Sequence, residues 1–380
     1  MAKKLNVGIL FGGKSAEHEV SLQSAKNVYD AIDRDKYNPI LIGIDKSGRW
    51  LLNEGSHFLL NAEDPKNIRL NQSGSAVALV PQSGGAISNL TTLKDSGAVD
   101  VVFPILHGPF GEDGTVQGLL KLADIPFVGA GVLGSAAGMD KDVMKRLLRD
   151  AGIPIGKFIA LKSHEKVPPF AEAVKVLGAP IFIKPANMGS SVGVYKVKDE
   201  AEYRAAVEAA FQYDTKIILE EFIPGRELEC AILGNEEPAA SVPGEVISTH
   251  EFYSYDAKYL DEHGAVLEIP ARIPDDIKKQ IQALALKTFR ALSCEGLSRV
   301  DFFLKEENAG AGGSGGNSNS ITNSRIIVNE INTMPGFTRI SMYPKLWEAS
   351  GVSYTELISS LIELAVKRFE KERKLKTSVV

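Results

Sequence analysis

The sequence has little of what marks a disulfide-rich, membrane-spanning or nucleic-acid-binding protein. Its only two cysteines, Cys230 and Cys294, lie far apart in apolar surroundings, and we expect them to be reduced core thiols. No run approaches the ~18 consecutive apolar residues of a membrane helix, and the basic start MAKKLNVGILFGG ends too early for a signal sequence. The net charge of −5 offers no basic surface to nucleic acid. These absences predict a soluble, cytoplasmic protein.

The first third of the chain shows alternating strand and helix periodicity. The composition is globular, 44% hydrophobic and 24% charged, and the length suits two or three domains of ~100–200 residues each. Strands are predicted at residues 5–11, 38–44, 99–105 and 126–128, and helices at residues 21–32 and 115–123. This order predicts βαβ units and a mostly parallel sheet. The polar, Gly/Ser-rich residues 72–90 are expected to be a surface excursion.

The remaining two thirds have an α+β pattern. Helices are predicted at residues 139–151, 200–211, 275–292 and 354–371. Strands are predicted at residues 180–185, 191–197, 216–221, 227–233, 298–304 and 325–331. Residues 308–324, NAGAGGSGGNSNSITNS, are too polar to bury a core, and we expect a long flexible hairpin loop there.

The stretch GILFGGKS formally matches the P-loop pattern G-x-x-x-x-G-K-[ST]. Three of its four intervening residues, Ile9, Leu10 and Phe11, are large and apolar. A loop that presents backbone N–H groups to phosphate gains nothing from exposing them. We therefore interpret residues 5–11 as a buried first strand, and the rest of the chain must decide whether a nucleotide binds.

The strand pair RVDFF and VNEIN carries the strongest chemical signal. Side chains alternate between the faces of a strand, so Asp301 lies on the face of Arg299, and Glu330 on the face of Asn332. If the strands pair, Asp301, Glu330 and Asn332 form an oxygen cluster beside an arginine. Such oxygens are ligands for Mg²⁺. The alternative is a solvated strand face, which would not need these three groups to converge.

Three further segments are candidates for binding, each with a structural alternative. In IKPANMGSSVGV, Lys184 and the donors of Gly189, Ser190 and Ser191 suit phosphate, although the loop could be only a turn. In ILEEFIPGRELE, the carboxylates of Glu220, Glu221 and Glu227 could accept from adenine or ribose, or form a charged loop. Glu17, His107 and Glu112 follow predicted parallel strands, where open α/β sheets bind ligands, although a turn or cap is equally consistent.

Seven blocks in one order, over essentially the whole chain, resemble the D-alanine–D-alanine ligases of the ATP-grasp superfamily. They are GGKSAEHEVSLQSA, HGPFGEDGTVQGLL, MDKDVMKRLL, KPANMGSSVGV, YDAKYLDE, RVDFF and NEINTMPGFTRISMYP. The resemblance implies a Rossmann-like parallel-sheet domain (residues 1–138) and then a two-part ATP-grasp fold (residues 139–222 and 223–380). It further implies ATP-dependent formation of D-alanyl-D-alanine through a D-alanyl phosphate for peptidoglycan synthesis, and a homodimer.

The resemblance also implies roles for individual residues at the nucleotide. The expected ATP ligands are Lys141, Lys184 and Ser191 at the phosphates, Glu220 and Ile223 at adenine, and Glu227 at ribose. Two Mg²⁺ ions, for which Mn²⁺ can substitute, would be held by Asp301, Glu330 and Asn332. Lys258, in the loop YDAKY, would close over the γ-phosphate.

At the amino-acid substrates, the resemblance implies a second set of residues. Glu17, Ser190 and Tyr259 would form a network at the ammonium group of the first D-alanine. The resemblance places His107 near the same substrate. Glu112 is expected to bind substrate because of its position after a predicted parallel strand. Arg299 and the N–H of Gly336 would form the oxyanion site. Ser341 and Met342 would hold the carboxylate of the second D-alanine. The alternatives are a D-alanine–D-lactate ligase, which the pair Lys258-Tyr259 disfavours, and a nucleotide-binding sensor without turnover.

Overall fold

The computed structural model describes residues 3–53, 55–64, 66–248, 265–306 and 324–376. Tyr259 and Lys258 lie outside the described residues, and so does the Gly/Ser/Asn-rich insert apart from Ser324. None of the helices described has both the length and the hydropathy required to cross a membrane.

The first unit is built on a seven-stranded sheet. Its strands are β1 (Leu5–Gly12), β2 (Tyr37–Ile44), β3 (Trp50–Asn53), β6 (Ser75–Leu79), β7 (Ala86–Asn89), β8 (Asp95–Ala98) and β9 (Val101–Ile105), in the order β8-β7-β6-β3-β2-β1-β9. A separate hairpin contains β4 (Leu59–Leu60) and β5 (Arg69–Leu70). The interpretation of residues 5–11 as a buried strand is confirmed, because β1 extends from Leu5 to Gly12 and is buried from Val7 onward. This segment is therefore not a phosphate-binding loop.

Two expectations for this sheet need correction. Only β2, β1 and β9 are parallel, and the pairings beyond β2 are antiparallel. Residues 72–90 do not form a surface excursion, because β6 and β7 pair within the sheet and bury Val77, Leu79 and Ile87. The Gly/Ser content of this segment belongs to its turns, while its few apolar residues alternate as a half-buried strand requires.

Three helices accompany this sheet: α1 (His18–Ala31), α2 (Thr115–Leu122) and α3 (Val132–Met139). The first two confirm predicted helices, whereas α3 was not predicted from its small residues. The expected strand at residues 126–128 is reduced to a single bridge between Phe127 and Val102.

The second unit is an antiparallel sheet with helices. Its elements are α4 (Lys141–Asp150), β10 (Phe158–Lys162), α5 (Phe170–Leu177), β11 (Ile181–Pro185), β12 (Tyr195–Val197), α6 (Glu200–Ala210) and β13 (Lys216–Glu221), with strand order β10-β13-β11-β12. The predicted strand at residues 191–197 starts only at Tyr195. Ser190 and Ser191 have φ of 49° and 60°, a left-handed conformation that does not occur within a strand.

Among the described residues, the third unit contains a six-stranded antiparallel sheet and three helices. Its elements are β14 (Arg226–Gly234), β15 (Ala239–Ala240), β16 (Gly244–Ser248), β17 (Ala265–Glu268), α7 (Asp275–Ala291), β18 (Gly296–Glu306), β19 (Ser324–Asn332), α8 (Met342–Ala349) and α9 (Tyr354–Glu372). The predicted pairing of RVDFF with VNEIN is confirmed, because β18 and β19 are neighbours.

The last helix, α9, ties the first and third units together. Leu357 and Leu361 of α9 belong to the same buried cluster as Ile9 and Phe103 of the first sheet. At the other end of the helix, Arg368 donates to the carbonyls of Phe127 (2.9 Å) and Gly129 (2.6 Å). The domain boundaries at residues 138 and 222 stay a prediction.

Candidate active site

A cavity of about 300 Å³ lies between the four-stranded and six-stranded sheets. All six residues predicted to bind ATP line this cleft, namely Lys141, Lys184, Ser191, Glu220, Ile223 and Glu227. Ser190 and Glu330 also line it. Candidate residues on β11, β13, β14 and β19 therefore line the same cavity. The volume of this cavity lies within the range of small-molecule binding sites.

A buried ion network forms the inner wall of the cleft. The two carboxylate oxygens of Glu220 lie 2.6 Å from the ammonium group of Lys145 and 2.6 Å from that of Lys184. Burial alone would raise the pKa of Glu220, but the two lysines lower it to about 2. Burial likewise opposes the charge of Lys184, and Glu220 and Glu330 nevertheless raise its pKa. The carboxylate predicted to meet adenine is thus held by two lysines.

Lys145 was not among the predicted site residues. It lies four residues after Lys141 on α4, so both side chains project from the same face of the helix. Its side chain is 3% exposed, and a charge this deeply buried requires a specific partner. The four-residue spacing of Lys141 and Lys145 in MDKDVMKRLL could have indicated a second lysine at the site. The same spacing is equally typical of a solvent-exposed basic helix.

The glycine-containing loop after β11 is held from two sides. The ammonium group of Lys141 donates to the carbonyl of Met188 at 2.6 Å. On the other side, the backbone N–H and the side-chain amide of Asn187 donate to Asp214 at 2.8 and 2.9 Å. Burial lowers the pKa of Lys141. These contacts fix the loop that presents Ser190 and Ser191 to the cleft.

The predicted oxygen cluster forms on β18 and β19. Asp301 is paired directly opposite Glu330, and Arg299 opposite Asn332. The guanidinium of Arg299 donates two hydrogen bonds of 2.7 Å to Asp301, and the amide of Asn332 donates to Asp301 at 3.0 Å. The register shifts between Asp301 and Phe302, so Asn329 is an extra residue in β19 and Ile327 is paired with Phe303.

The donor set of this cluster suits a hard divalent cation. Two carboxylates and an amide oxygen share one strand face, and Glu330 reaches the cleft where Lys141 and Lys184 lie. Mg²⁺ is commonly held by one or two carboxylates together with phosphate oxygens. No group of three or more His, Cys, Asp and Glu side chains placed to hold a metal ion occurs among the residues described.

Glu17 connects the first unit to the glycine-containing loop. It precedes α1 and accepts a hydrogen bond from the hydroxyl of Ser190. A Cβ atom on Gly108 or on Gly189 would lie 2.7 Å from its carboxylate, so a side chain at either position would displace that carboxylate. The predicted contact of Glu17 with Ser190 is present, whereas Tyr259, the third member of that network, lies outside the described residues.

A second set of buried groups, which we call the seam, joins the first unit to the loop after β19. It consists of Ser24, His107, Glu112, Met334 and Phe337. Nδ1 of His107 donates to the carbonyl of Met334 (3.0 Å), so Nε2 accepts from the hydroxyl of Ser24 (3.3 Å). That hydroxyl also accepts from the N–H of Phe337 at 3.3 Å. Burial lowers the pKa of His107 and favours this neutral form.

Glu112 completes the seam through backbone groups. Its two carboxylate oxygens accept from the N–H of Gly108 at 2.9 Å and from the N–H of Met334 at 3.0 Å. Burial, with a contribution from the charge of Glu17, raises the pKa of Glu112 to about 8. The contacts of the His107 and Glu112 side chains position the loop that carries Gly336. That both residues also bind substrate stays a prediction.

The residues predicted at the second amino acid lie at the start of α8. The hydroxyl of Ser341 contacts the hydroxyl of Thr338 (2.7 Å) and accepts from its N–H (3.1 Å). A Cβ atom on Gly336 would lie 2.9 Å from the same hydroxyl, so Gly336 and Ser341 are adjacent. Met342, predicted with Ser341, is buried as the first residue of α8.

Comparison with known proteins identifies two family models in this chain. The model described as the D-ala D-ala ligase N-terminus matches residues 6–130. The model described as the D-ala D-ala ligase C-terminus matches residues 147–311 and 318–363. The D-alanine–D-alanine ligase of Oceanobacillus iheyensis is 55% identical over 377 residues, which cover 99% of each chain.

Solved structures agree with this result. The D-alanine-D-alanine ligase from Coxiella burnetii superposes with a TM-score of 0.82 at 36% identity, covering 98% of this chain and 97% of the other. The VanG D-Ala:D-Ser ligase from Enterococcus faecalis superposes with a TM-score of 0.79, also at 36% identity, covering 96% of this chain and 100% of the other.

Proposed function

The chain belongs to the D-alanine–D-alanine ligase family, and from this premise we propose that it uses ATP to join two D-alanine molecules into the dipeptide for peptidoglycan precursor synthesis. Membership makes the chain an ATP-dependent ligase with an ATP-grasp fold. One observation carries the assignment of the site: all six residues expected at ATP line one cleft, together with Glu330. Ser190, also in the cleft, reaches Glu17, the expected ligand of the first D-alanine.

The reaction requires activation of a carboxylate, because a carboxylate does not react with an amine at neutral pH. Transfer of the γ-phosphoryl group to the first D-alanine gives a D-alanyl phosphate, and the amine of the second D-alanine then displaces phosphate. Lys141, Lys184 and Ser191 would bind and orient the nucleotide phosphates. Glu17 and Ser190 would hold the ammonium group of the first D-alanine.

Asp301, Glu330 and Asn332 would hold two Mg²⁺ ions, or Mn²⁺ in their place. When bound, these ions would neutralise charge on the transferring phosphoryl group. Arg299 already bridges Glu229 and Asp301 at 2.8 and 2.7 Å. It would donate, with the N–H of Gly336, to the oxyanion of the tetrahedral intermediate. Ser341 and Met342 would hold the carboxylate of the second D-alanine.

The acyl phosphate hydrolyses in water, so a closing element is required. We assign this role to the loop with Lys258 and Tyr259, which lies outside the described residues. We further propose a cytoplasmic homodimer. The exposed apolar side chains of Leu119, Leu122, Val132 and Leu133 on α2 and α3 support a contact between copies of the chain.

The test is phosphate release from ATP with the amino acid as the only variable. D-Alanine should support phosphate release and dipeptide formation, and L-alanine should not. Adding D-lactate or D-serine to D-alanine checks the second acceptor, because one structurally similar protein is a D-Ala:D-Ser ligase. A predominance of D-alanyl-D-lactate or D-alanyl-D-serine in such mixtures would replace the proposed function.

A further inference from the structure

Lys145 is a buried cation that the proposed mechanism does not use. Its ammonium group lies 2.6 Å from one oxygen of Glu220, whose other oxygen lies 2.6 Å from Lys184. The side chains of Lys145 and Glu220 are 3% and 8% exposed, and that of Lys184 is 17% exposed. Lys145 and Lys184 both line the cleft, and the carboxylate of Glu220 is shared between Lys184 and the more deeply buried Lys145.

We propose that Lys145 is a positioning residue for the nucleotide, acting through Glu220 to keep the charge of Lys184 directed at the phosphates. The inference rests on the proposed ATP site. With Lys145 in place, two ammonium groups and one carboxylate carry a net charge of +1. Without it, Glu220 and Lys184 form a neutral pair, and the anionic phosphates lose most of the attraction of Lys184.

The geometry of α4 supports this role. Lys141 and Lys145 lie one turn apart, and each spans from α4 to a different part of the cleft wall. Lys141 reaches the carbonyl of Met188 in the glycine-containing loop, while Lys145 reaches Glu220 on β13. The helix thus fixes both the loop and the strand between which the phosphates would lie.

The other charges around Lys184 do not replace Lys145. Among the residues that the structure describes, Lys141 is another cation that interacts with Lys184, and its ammonium group donates to the carbonyl of Met188. Glu330 and Glu227 act on Lys184 from β19 and β14, and both are negative. The ring of Phe158, 5.9 Å from the ammonium group of Lys145, stabilises the cation without altering the charge of the cluster.

The experiment measures ADP binding in the presence of Mg²⁺ by titration calorimetry on the full chain. Lys145→Met should weaken binding by about tenfold or more, as expected when one partner of a buried charge pair is lost. Lys145→Arg should retain most of the affinity. In a Glu220→Gln background, which already lacks the carboxylate that pairs with Lys184 and any adenine contact of that carboxylate, Lys145→Met should cost less than about threefold in affinity. Arg146→Met is the matched control, since Arg146 on the same helix is mostly exposed.

Unchanged binding in Lys145→Met would overturn the proposal. So would an equally large effect of Lys145→Met in the Glu220→Gln background, because Lys145 would then act directly or only on folding. If Lys145→Met does not fold, Glu220→Gln is compared with the double variant. Losing Lys145 in that background should cost less than about threefold, as a coupled pair requires, and a larger loss contradicts the proposal. Failure of the unaltered chain to bind ADP would instead contradict the proposed function.

Discussion

The cleft and the seam both contain buried ionisable groups, but they satisfy them in different ways. In the cleft, Glu220 is paired with two lysine side chains. In the seam, Glu112 is bonded to two backbone N–H groups and His107 to a backbone carbonyl. Side-chain pairs can be rearranged by a charged ligand, whereas bonds to the backbone fix the path of a loop. The cleft is therefore suited to binding and the seam to holding the loop with Gly336.

The largest expected effect is the loss of turnover in Glu330→Ala, because its carboxylate lies where a metal ion and phosphates would meet. We expect kcat to fall by about 10³-fold or more, the scale on which charge-stabilising groups act in phosphoryl transfer. Thermal unfolding should change little, since the residue lines a cavity. The exposed Glu348→Ala is the control. Near-normal turnover with reduced stability would reverse the assignment of this residue to the cleft.

Glu112→Gln is the corresponding test in the seam. A glutamine amide can accept from only one of the two N–H groups, so the free energy of unfolding should fall by about 1–3 kcal/mol. The pKa of Glu112 is raised in the folded protein, so its contribution to stability is fully present below the unfolded pKa of about 4.3 and is lost as pH rises towards 8.

Urea unfolding of both proteins between pH 5 and pH 9 measures this effect. The advantage of the unaltered protein over Glu112→Gln should shrink with rising pH. An advantage that is constant, or that grows with pH, would show that Glu112 is ionised throughout.

Ser24→Ala should have a smaller effect in the same region. It removes a hydroxyl that links His107 to the N–H of Phe337, and we expect a loss of about 0.5–1.5 kcal/mol. KM for D-alanine should rise more than KM for ATP, because only the loop with Gly336 is loosened. Ser73→Ala, at an exposed turn, is the control. An equal rise in both KM values would remove the distinction between the two regions.

The smallest effect on stability is expected for Leu133→Asp. Leu133 is 68% exposed on α3, so a charge there should hardly change the unfolding free energy. It should nevertheless convert the proposed dimer to a monomer in sedimentation experiments. Leu60→Asp, at a position 50% exposed in another part of the first unit, should leave the dimer intact. A dimer that persists in Leu133→Asp would exclude this surface as the contact.

The sequence predicted most of the charged cleft residues but only His107 and Glu112 of the seam, for a physical reason. Lys184, Glu220 and Glu330 lie on strands that the sequence pattern predicts, and their charges stand out against apolar neighbours. Ser24 and Met334 function through a hydroxyl and through backbone groups that any residue type supplies, so no pattern marks them. The same reason explains the misassigned residues 72–90, where β6 and β7 obtain their stability from neighbouring strands rather than from their own composition.

The position of α9 has a consequence for how this protein is made. A ribosome completes β1 and β9 long before it reaches the helix whose Leu357 and Leu361 share their core. Until then, the apolar side chains of this cluster that α9 covers in the folded protein are exposed. A nascent chain that stops before Tyr354 should therefore bind chaperones or aggregate through its earliest residues, and pulse-labelled truncations can measure this directly. The first strands to be synthesised would thus complete their packing only after α9 has left the ribosome.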